Sequence, residues 1–521
     1  MKEVKGMKKA WKKSVVFAVS MILLVTMSFT LGGCGGSAND NAANGGSVNN
    51  STVNDSSSKE GSNSESPKSD VKIKIVMDNN SPDKYAELFK SIGDKLGISI
   101  ELTVAPGNYE QFLQTQLQSS EKPDLFKLNG QYLTSFVKDG LATDLNSYFS
   151  DAWKTELGAD NWDKLTKGTF NQCRREANDP TKKTNDQTAP LWAIPFDSGC
   201  QCFGINRGVI NNTPALSSKI DEMVKNGVIP CKPWEVGMDG QVAAYTYSEF
   251  SGLLKGLQEV INAGNLTGAA QNLKYAFQGN DAFKLMTYSA GGSFLNENSD
   301  KVTLTGDAVV NTAYFIKNGI NEGYIDSMED GGEGWNNWVS GMYLVDANTG
   351  TWEYGTYIEN GMDVPMMPIP VPDGADRTKW VSGQTGSCMI LRKGSSNEEM
   401  AAKVMCEFIS RESEAYQLKN AMNIPLYDDS WNDYINKNDA NNGGFYPYDA
   451  NCKRVFNAII SGAHGRVQET YFTVGRTWWS TFMTNYTNIF CLDKKIITKQ
   501  DVYDSLKAQQ PELQTLLDEG K

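Results

Sequence analysis

Along most of this chain the apolar positions switch between a period of two and a period near 3.6, and the switches mark its elements. Val71, Ile73 and Ile75 alternate with polar neighbours and run on through Val76 and Met77, which predicts a strand. Asp78-Asn79-Asn80-Ser81-Pro82 breaks it, and Tyr85, Leu88, Phe89, Ile92 and Leu96 follow at helical spacing. Ile98–Val104 reads as a second strand, Phe112, Leu113 and Leu117 mark a second helix, and Pro123-Asp124-Leu125-Phe126 opens a further short strand. Strands alternating with helices predict parallel pairing, with helices on the faces of the sheet. Ligands bind outside the ends of such strands. Further helices are expected over Tyr247–Asn262, Gly306–Gly323, Ser396–Phe408, Val467–Phe490 and Lys499–Leu517, the second with Val309, Ala313, Phe315 and Ile316 as core. Met367-Pro368-Ile369-Pro370-Val371-Pro372 is extended and proline-punctuated, which suits a crossing between two lobes. No internal repeat is visible.

The N-terminus breaks this grammar. Lys2, Lys5, Lys8, Lys9, Lys12 and Lys13 precede an uncharged apolar run from Val15 to Leu31, which leads into Gly32-Gly33-Cys34. A basic head, an apolar stretch and a small-residue exit are the parts of a secretory signal. The rival reading is a membrane-spanning helix, since the run is near the lower limit of about 17 residues. Leu31-Gly32-Gly33-Cys34 resembles the lipobox of bacterial lipoproteins. That resemblance implies that residues 1–33 are removed and that Cys34 carries a palmitate-type lipid anchor on the extracytoplasmic face of the cell membrane. From Gly35 to Asp70 the chain is mostly Gly, Ser, Asn, Asp and Lys, too polar to offset the entropy of ordering it. Residues 34–70 are expected to form a disordered tether spanning about 30–35 Å.

Charge and composition narrow the chemistry. The six lysines and one glutamate of residues 1–33 contribute +5, so the remainder carries −18 against −13 for the whole chain. That field disfavours nucleic acid. His464 is the only histidine, so multi-histidine metal sites within one chain are excluded and Ser-His or Cys-His catalysis would have to run through it. Its Gly-flanked setting, Ser461-Gly462-Ala463-His464-Gly465, reads as a solvated turn. The Asp428–Gly444 run lacks calcium-loop spacing, and Gly383-Gln384-Thr385-Gly386-Ser387 lacks the lysine of a phosphate loop and reads as a turn. No catalytic residue, metal or cofactor is expected. Besides Cys34 there are eight cysteines, with no Cys-x-x-Cys pair, and no pairing among them is implied.

Read in order, the landmarks resemble the extracellular solute-binding proteins of bacterial ABC importers, in the sugar-binding branch that includes maltose-binding protein. Lys122-Pro123-Asp124-Leu125 followed by Asp139-Gly140-Leu141-Ala142-Thr143-Asp144-Leu145 is similar to that family's Pro-Asp strand and Gly-Leu segment. Leu191-Trp192-Ala193-Ile194-Pro195-Phe196-Asp197-Ser198-Gly199, ending in Asn206, resembles its first crossing, with Ile205 where an aromatic is usual. Pro233-Trp234 with Tyr247-Ser248-Glu249-Phe250 resembles an interrupted helix start. Gly291-Gly292-Ser293-Phe294-Leu295, Gly341-Met342-Tyr343-Leu344, Gly350-Thr351-Trp352, Leu391-Arg392-Lys393-Gly394-Ser395 and Ile424-Pro425 complete the series. Insertions at 211–244 and 428–444 depart from compact members.

The resemblance implies an α/β, two-lobed periplasmic-binding-protein fold, each lobe a mainly parallel sheet flanked by helices, with the ligand cleft between them. Lobe 1 is expected over 71–203 plus 368–423 and lobe 2 over 204–367 plus 424–521. The implied partners are a sugar, through preference an oligosaccharide, and the permease subunits of an ABC transporter; the chain itself would be a monomer. A pyranose has apolar C–H faces that flat aromatics cover, and hydroxyls that Asp, Asn and Gln take in pairs. The matching positions are Asp78 and Asn79 after the first strand, Asn129, Gln131 and Tyr132 after the Pro-Asp strand, and Asp197 at the first crossing. To these the resemblance adds Trp352 as the stacking aromatic, with Trp478 and Trp479 near the C-terminal helix. Two other readings stay open at this level: a receptor of the same fold for a peptide, polyamine or other solute, and a secreted glycoside hydrolase, for which two carboxylates about 5–10 Å apart would suffice.

Overall fold

Ile73 and Ile75 are fully buried and alternate with Lys72 and Lys74, whose ammonium groups pair outward with Glu101 and Glu121. This two-residue period sets strand β1 (Lys72–Met77) with one face in the core. The computed structural model describes residues 70–519, apart from 79–80, 107–108, 150–151, 166–169, 180–183, 185, 187, 198, 236–242, 280–281, 297–299, 328–333, 351–352, 354–355, 358–359, 421, 437–449, 461–463 and 468–480. The helix Pro82–Leu96 follows, with Pro82 opening it and Gly97 in the left-handed conformation closing it. Its buried Tyr85 and Phe89 meet Phe196 and Phe408; the Tyr85 and Phe196 ring centroids are 4.7 Å apart, and those of Phe196 and Phe408 5.1 Å. Such ring pairs add about 0.5–1.5 kcal/mol each beyond area burial.

The chain builds two α/β lobes. The first sheet holds β1, β2 (Ser99–Val104), β3 (Leu125–Asn129), β4 (Ile194–Pro195) and β10 (Ser387–Leu391), in the order β2-β1-β3-β10-β4. The second holds β5 (Gly199–Ile205), β6 (Tyr275–Gln278), β7 (Tyr343–Gly350), β9 (Ser382–Thr385) and β11 (Gly465–Val467), in the order β11-β9-β5-β7-β6, with β8 (Met366–Met367) beside β5. Both sheets are mixed. β1 pairs parallel with β2 and β3, whereas β10 runs antiparallel to β3 and β4, and β5 antiparallel to β7, β8 and β9. The reversed strands are those that pass from one lobe to the other, so they enter each sheet against its local direction. Where β5 and β7 close on each other only glycine fits: a Cβ on Gly204 would overlap the Thr349 side chain.

Two strands change sheets side by side. β4 becomes β5 past Phe196 and Asp197, and β9 becomes β10 through Gly386. The segment Met367–Pro372, expected to cross, keeps to the second sheet: Met367 pairs with Phe203, and Val371 exchanges hydrogen bonds with Tyr245 and Tyr247. Its prolines fall at alternate positions and leave the Val371 N–H free to donate. A third passage runs through Leu426 and Tyr427, whose N–H groups donate to the Glu414 carboxylate at 2.8 and 3.2 Å. Burial, the largest influence, pushes Glu414 above its ordinary 4.5, despite hydrogen bonds from Ser430 and Leu426 and the nearby Arg411. A raised carboxyl contributes stability that is present below 4.5 and is lost as pH rises through the raised value. Glu414→Gln should therefore flatten the pH dependence of thermal unfolding as pH rises above 4.5. A slope unchanged from the native protein would contradict this.

Six described cysteines, Cys173, Cys200, Cys202, Cys388, Cys406 and Cys491, are buried, and Cys231 is partly exposed. The Cys173 and Cys388 sulfurs lie 3.5 Å apart. Burial pushes the Cys173 thiol well up, and Cys491 up to about 12. Since only the thiolate reacts, a maleimide should label Cys231 in the native protein and the six buried thiols only after unfolding, read by peptide mass spectrometry. Native labelling of Cys388 would contradict the packing. His464 differs from the solvated turn expected of it. Its ring stacks on buried Trp380 at 4.4 Å, and its Nδ1 lies 2.9 Å from the Trp380 carbonyl oxygen, which anchors the start of β11.

Candidate ligand-binding site

β3 carries one charge in an otherwise apolar run, Leu125-Phe126-Lys127-Leu128. Lys127 is almost wholly buried, and a buried ammonium requires partners. It has two. Its Nζ lies 3.0 Å from Asp78 Oδ2, just beyond the end of β1, and 3.2 Å from Asp197 Oδ2, between β4 and β5. The Phe196 ring centroid is 5.0 Å from the same ammonium. Burial works to lower the Lys127 pKa, but the Asp197 and Asp78 charges outweigh it and the net direction is upward. Lys127 therefore stays a cation. The carboxylate side chains remain accessible to solvent, Asp78 by 34% and Asp197 by 19%.

The surrounding backbone fixes this cluster. Tyr109, on the helix Tyr109–Gln118, donates its hydroxyl to the Lys127 carbonyl. Burial pushes that hydroxyl well above the ordinary tyrosine range, so it stays a donor. Asp197 Oδ1 accepts the Ser387 N–H at 2.7 Å, and the Ser387 carbonyl accepts the N–H groups of Phe196 at 2.7 Å and Asp197 at 3.3 Å. The two adjacent crossings are thus stitched together at Asp197. Asn129, exposed at the end of β3, pairs in register with Ser387. By strand alternation it shares a face with Lys127.

The structure brings together Asp78, Asn129 and Asp197 at one end of the first sheet. Tyr132 follows in the short turn Gly130–Tyr132, half-buried against the first-lobe core, at the start of the helix Leu133–Lys138. Cys34, Asn79, Trp352, Trp478 and Trp479 lie outside the described residues, as does the side chain of Gln131. The flanks of Trp352 are described. β7 ends at Gly350, whose N–H donates to Glu353 Oε2 at 3.3 Å; the same oxygen accepts the Tyr357 hydroxyl at 2.5 Å. Trp338 Nε1 donates to Tyr357 at 3.0 Å, and Trp338 itself is core. This buried network ties Glu353 to the end of β7 at Gly350. Three features were missed in the sequence: Lys127, Ser387, and exposed Trp335, whose ring lies 6.2 Å from that of Tyr357. For Lys127 the signal was present, a lone charge within an apolar strand. Ser387 acts through its backbone, which no side-chain pattern reveals.

Among the described residues no three His, Cys, Asp or Glu side chains gather as a metal site, and no helix is long and apolar enough to cross a membrane. What the cluster offers is hydrogen bonding: two carboxylates fixed on one cation, with an amide on the same strand face, suited to a ligand rich in donors.

No curated protein matches this chain in sequence. Its fold is similar to that of the ABC substrate-binding protein Lmo0181 from Listeria monocytogenes in complex with cycloalternan, at 14% identity and a TM-score of 0.62 over 86% of this chain and 100% of that one. It is also similar to the sugar-binding protein MalE from Xanthomonas citri, at 12% identity and a TM-score of 0.59 over 85% and 98% of the two chains. A third similar structure is UgpB from Mycobacterium tuberculosis in complex with glycerophosphocholine, at 17% identity and a TM-score of 0.58 over 85% and 98%. Residues 82–415 match the family model of the bacterial extracellular solute-binding proteins, and the chain belongs to that family.

Proposed function

We propose that this chain is the lipid-anchored receptor of an ABC importer, which takes a carbohydrate, by preference an oligosaccharide, between its lobes and hands it to the permease subunits. The observation that carries this reading is the cluster of Asp78, Asn129 and Asp197 at the strand ends, beside the two crossings about which the lobes would turn. Carboxylates and an amide at fixed positions accept and donate to neighbouring hydroxyls. Trp352, and with it Trp478 and Trp479, would cover the apolar faces of the rings. Asn79, Gln131 and Tyr132 would complete the polar rim. Two of the similar structures point the same way, one named a sugar-binding protein and one holding cycloalternan. The glycerophosphocholine complex keeps a different small solute as the second reading. Cys34 would attach the tether to the extracytoplasmic face of the membrane, with the receptor acting as a monomer.

Closure around a bound sugar favours the liganded form by mass action. The test is thermal unfolding of residues 34–521, with Cys34→Ser to prevent acylation, against malto-, cello-, xylo- and mannotetraose, glycerophosphocholine, spermidine and tetra-alanine. A compound at about 100 times its dissociation constant should stabilise the fold by about 2.7 kcal/mol. A shift with a tetrasaccharide supports the proposal. A shift with spermidine or tetra-alanine alone would replace the ligand class. Release of reducing ends from any of the glycans would make the protein a hydrolase.

A further inference from the structure

We infer that Lys127 is a positioning residue for ligand recognition, which holds Asp78 and Asp197 at one separation and aim and ties both to the crossing at Gly386. This rests on the receptor reading above and deepens it. Asp78 follows β1, Lys127 lies inside β3, and Asp197 belongs to the passage between β4 and β5, so three separate segments meet at one ammonium. Without the lysine, the two carboxylates would face each other across a buried gap and repel. With it, each is held by a charge-assisted contact and keeps part of its side chain open to solvent.

The cluster is continuous with the crossings. Asp197 takes the Ser387 N–H, and Gly386, one residue earlier, accepts the Gly130 N–H at 3.0 Å, one residue beyond β3. Any turn of the second lobe about Gly386 therefore pulls on Asp197, and through Lys127 on Asp78. Among the described residues, the charged or titratable groups facing Lys127 are Asp78 from the end of β1, Asp197 from the passage, and Tyr109 from the helix Tyr109–Gln118. Phe196 closes the remaining side. A lysine whose only task was to fill the core would need counter-charges but no link to a crossing.

The test uses residues 34–521 with Cys34→Ser, titrated calorimetrically with the four tetrasaccharides of the thermal panel at neutral pH. Lys127→Met should weaken binding about tenfold or more at pH 7. The double substitution Lys127→Met with Asp78→Asn removes the repulsion, so it should fold like the native protein and bind more weakly than Asp78→Asn alone, in which Lys127 still holds Asp197. That variant keeps the test decisive if the single substitution unfolds. Binding by Lys127→Met within about twofold of native, or by the double variant equal to that of Asp78→Asn alone, would overturn the positioning role and leave the receptor reading intact. Binding of none of the four sugars by the native protein would overturn both.

Discussion

Gly386→Val should unfold at markedly lower urea concentration than the native protein and lose ligand binding with it. Gly386 has φ +153°, a conformation that side-chain-bearing residues rarely adopt, and a Cβ there would sit against the Asp197 carbonyl oxygen, deep inside contact distance. Neither neighbour can retreat. The Asp197 backbone is held by Ser387, and its side chain by Lys127 and the Ser387 N–H. Backbone strain and overpacking each cost about 1–3 kcal/mol, so a loss of roughly 2–5 kcal/mol is expected. Gly374→Ala is the control. Gly374 has φ +80° but nothing within 4 Å of its Cβ position, so it isolates the strain and should cost about 1 kcal/mol. Equal losses in the two variants would show that the packing at the crossing carries no special weight.

Trp352→Ala should weaken sugar binding about 10- to 100-fold, the effect of losing one well-placed aromatic anchor, while the unfolding midpoint changes little. The reason for the second half lies in the flanks. Glu353, Tyr357 and Trp338 fix the end of β7 through the hydrogen bonds from Gly350 to Glu353, from Tyr357 to Glu353 and from Trp338 to Tyr357. Trp352→Phe should recover part of the affinity, since a smaller ring still covers a pyranose face. Calorimetric titration reads the first effect and thermal unfolding the second. Unfolding without any change of affinity would make Trp352 a core residue.

Local pattern carried the first lobe well. The alternation of Ile73 and Ile75, the helical spacing from Tyr85 to Ile92, and the Pro-Asp strand all became elements close to where they were expected. The helix at Tyr247–Asn262 matches to the residue, because Thr246 and Glu249 form a capping box that marks its start. The crossings were less legible. Pro368, Pro370 and Pro372 drew attention to the wrong segment, while the true passage, Gly383-Gln384-Thr385-Gly386-Ser387, read as a turn. Its role depends on pairing with residues 195–200, nearly 190 positions away in the chain, as in the Ser387–Asp197 bond. No local period reports such contacts. The same limit hid the cluster at Lys127. Asp78 and Asp197 were both chosen as ligand contacts from their places at strand ends, but nothing near either one shows that they share a cation. Val467 was expected to open a helix and instead ends β11, since pairing with Gln384 overrides local preference.

The measurement that bears most directly on a sugar held between lobes is small-angle X-ray scattering of residues 34–521, Cys34→Ser, alone and saturated with the best-binding tetrasaccharide. The radius of gyration should fall on saturation, with one sugar bound per chain, and the fall should vanish in Trp352→Ala. An unchanged radius with the sugar bound, or a fall produced only by spermidine or tetra-alanine, would contradict the account.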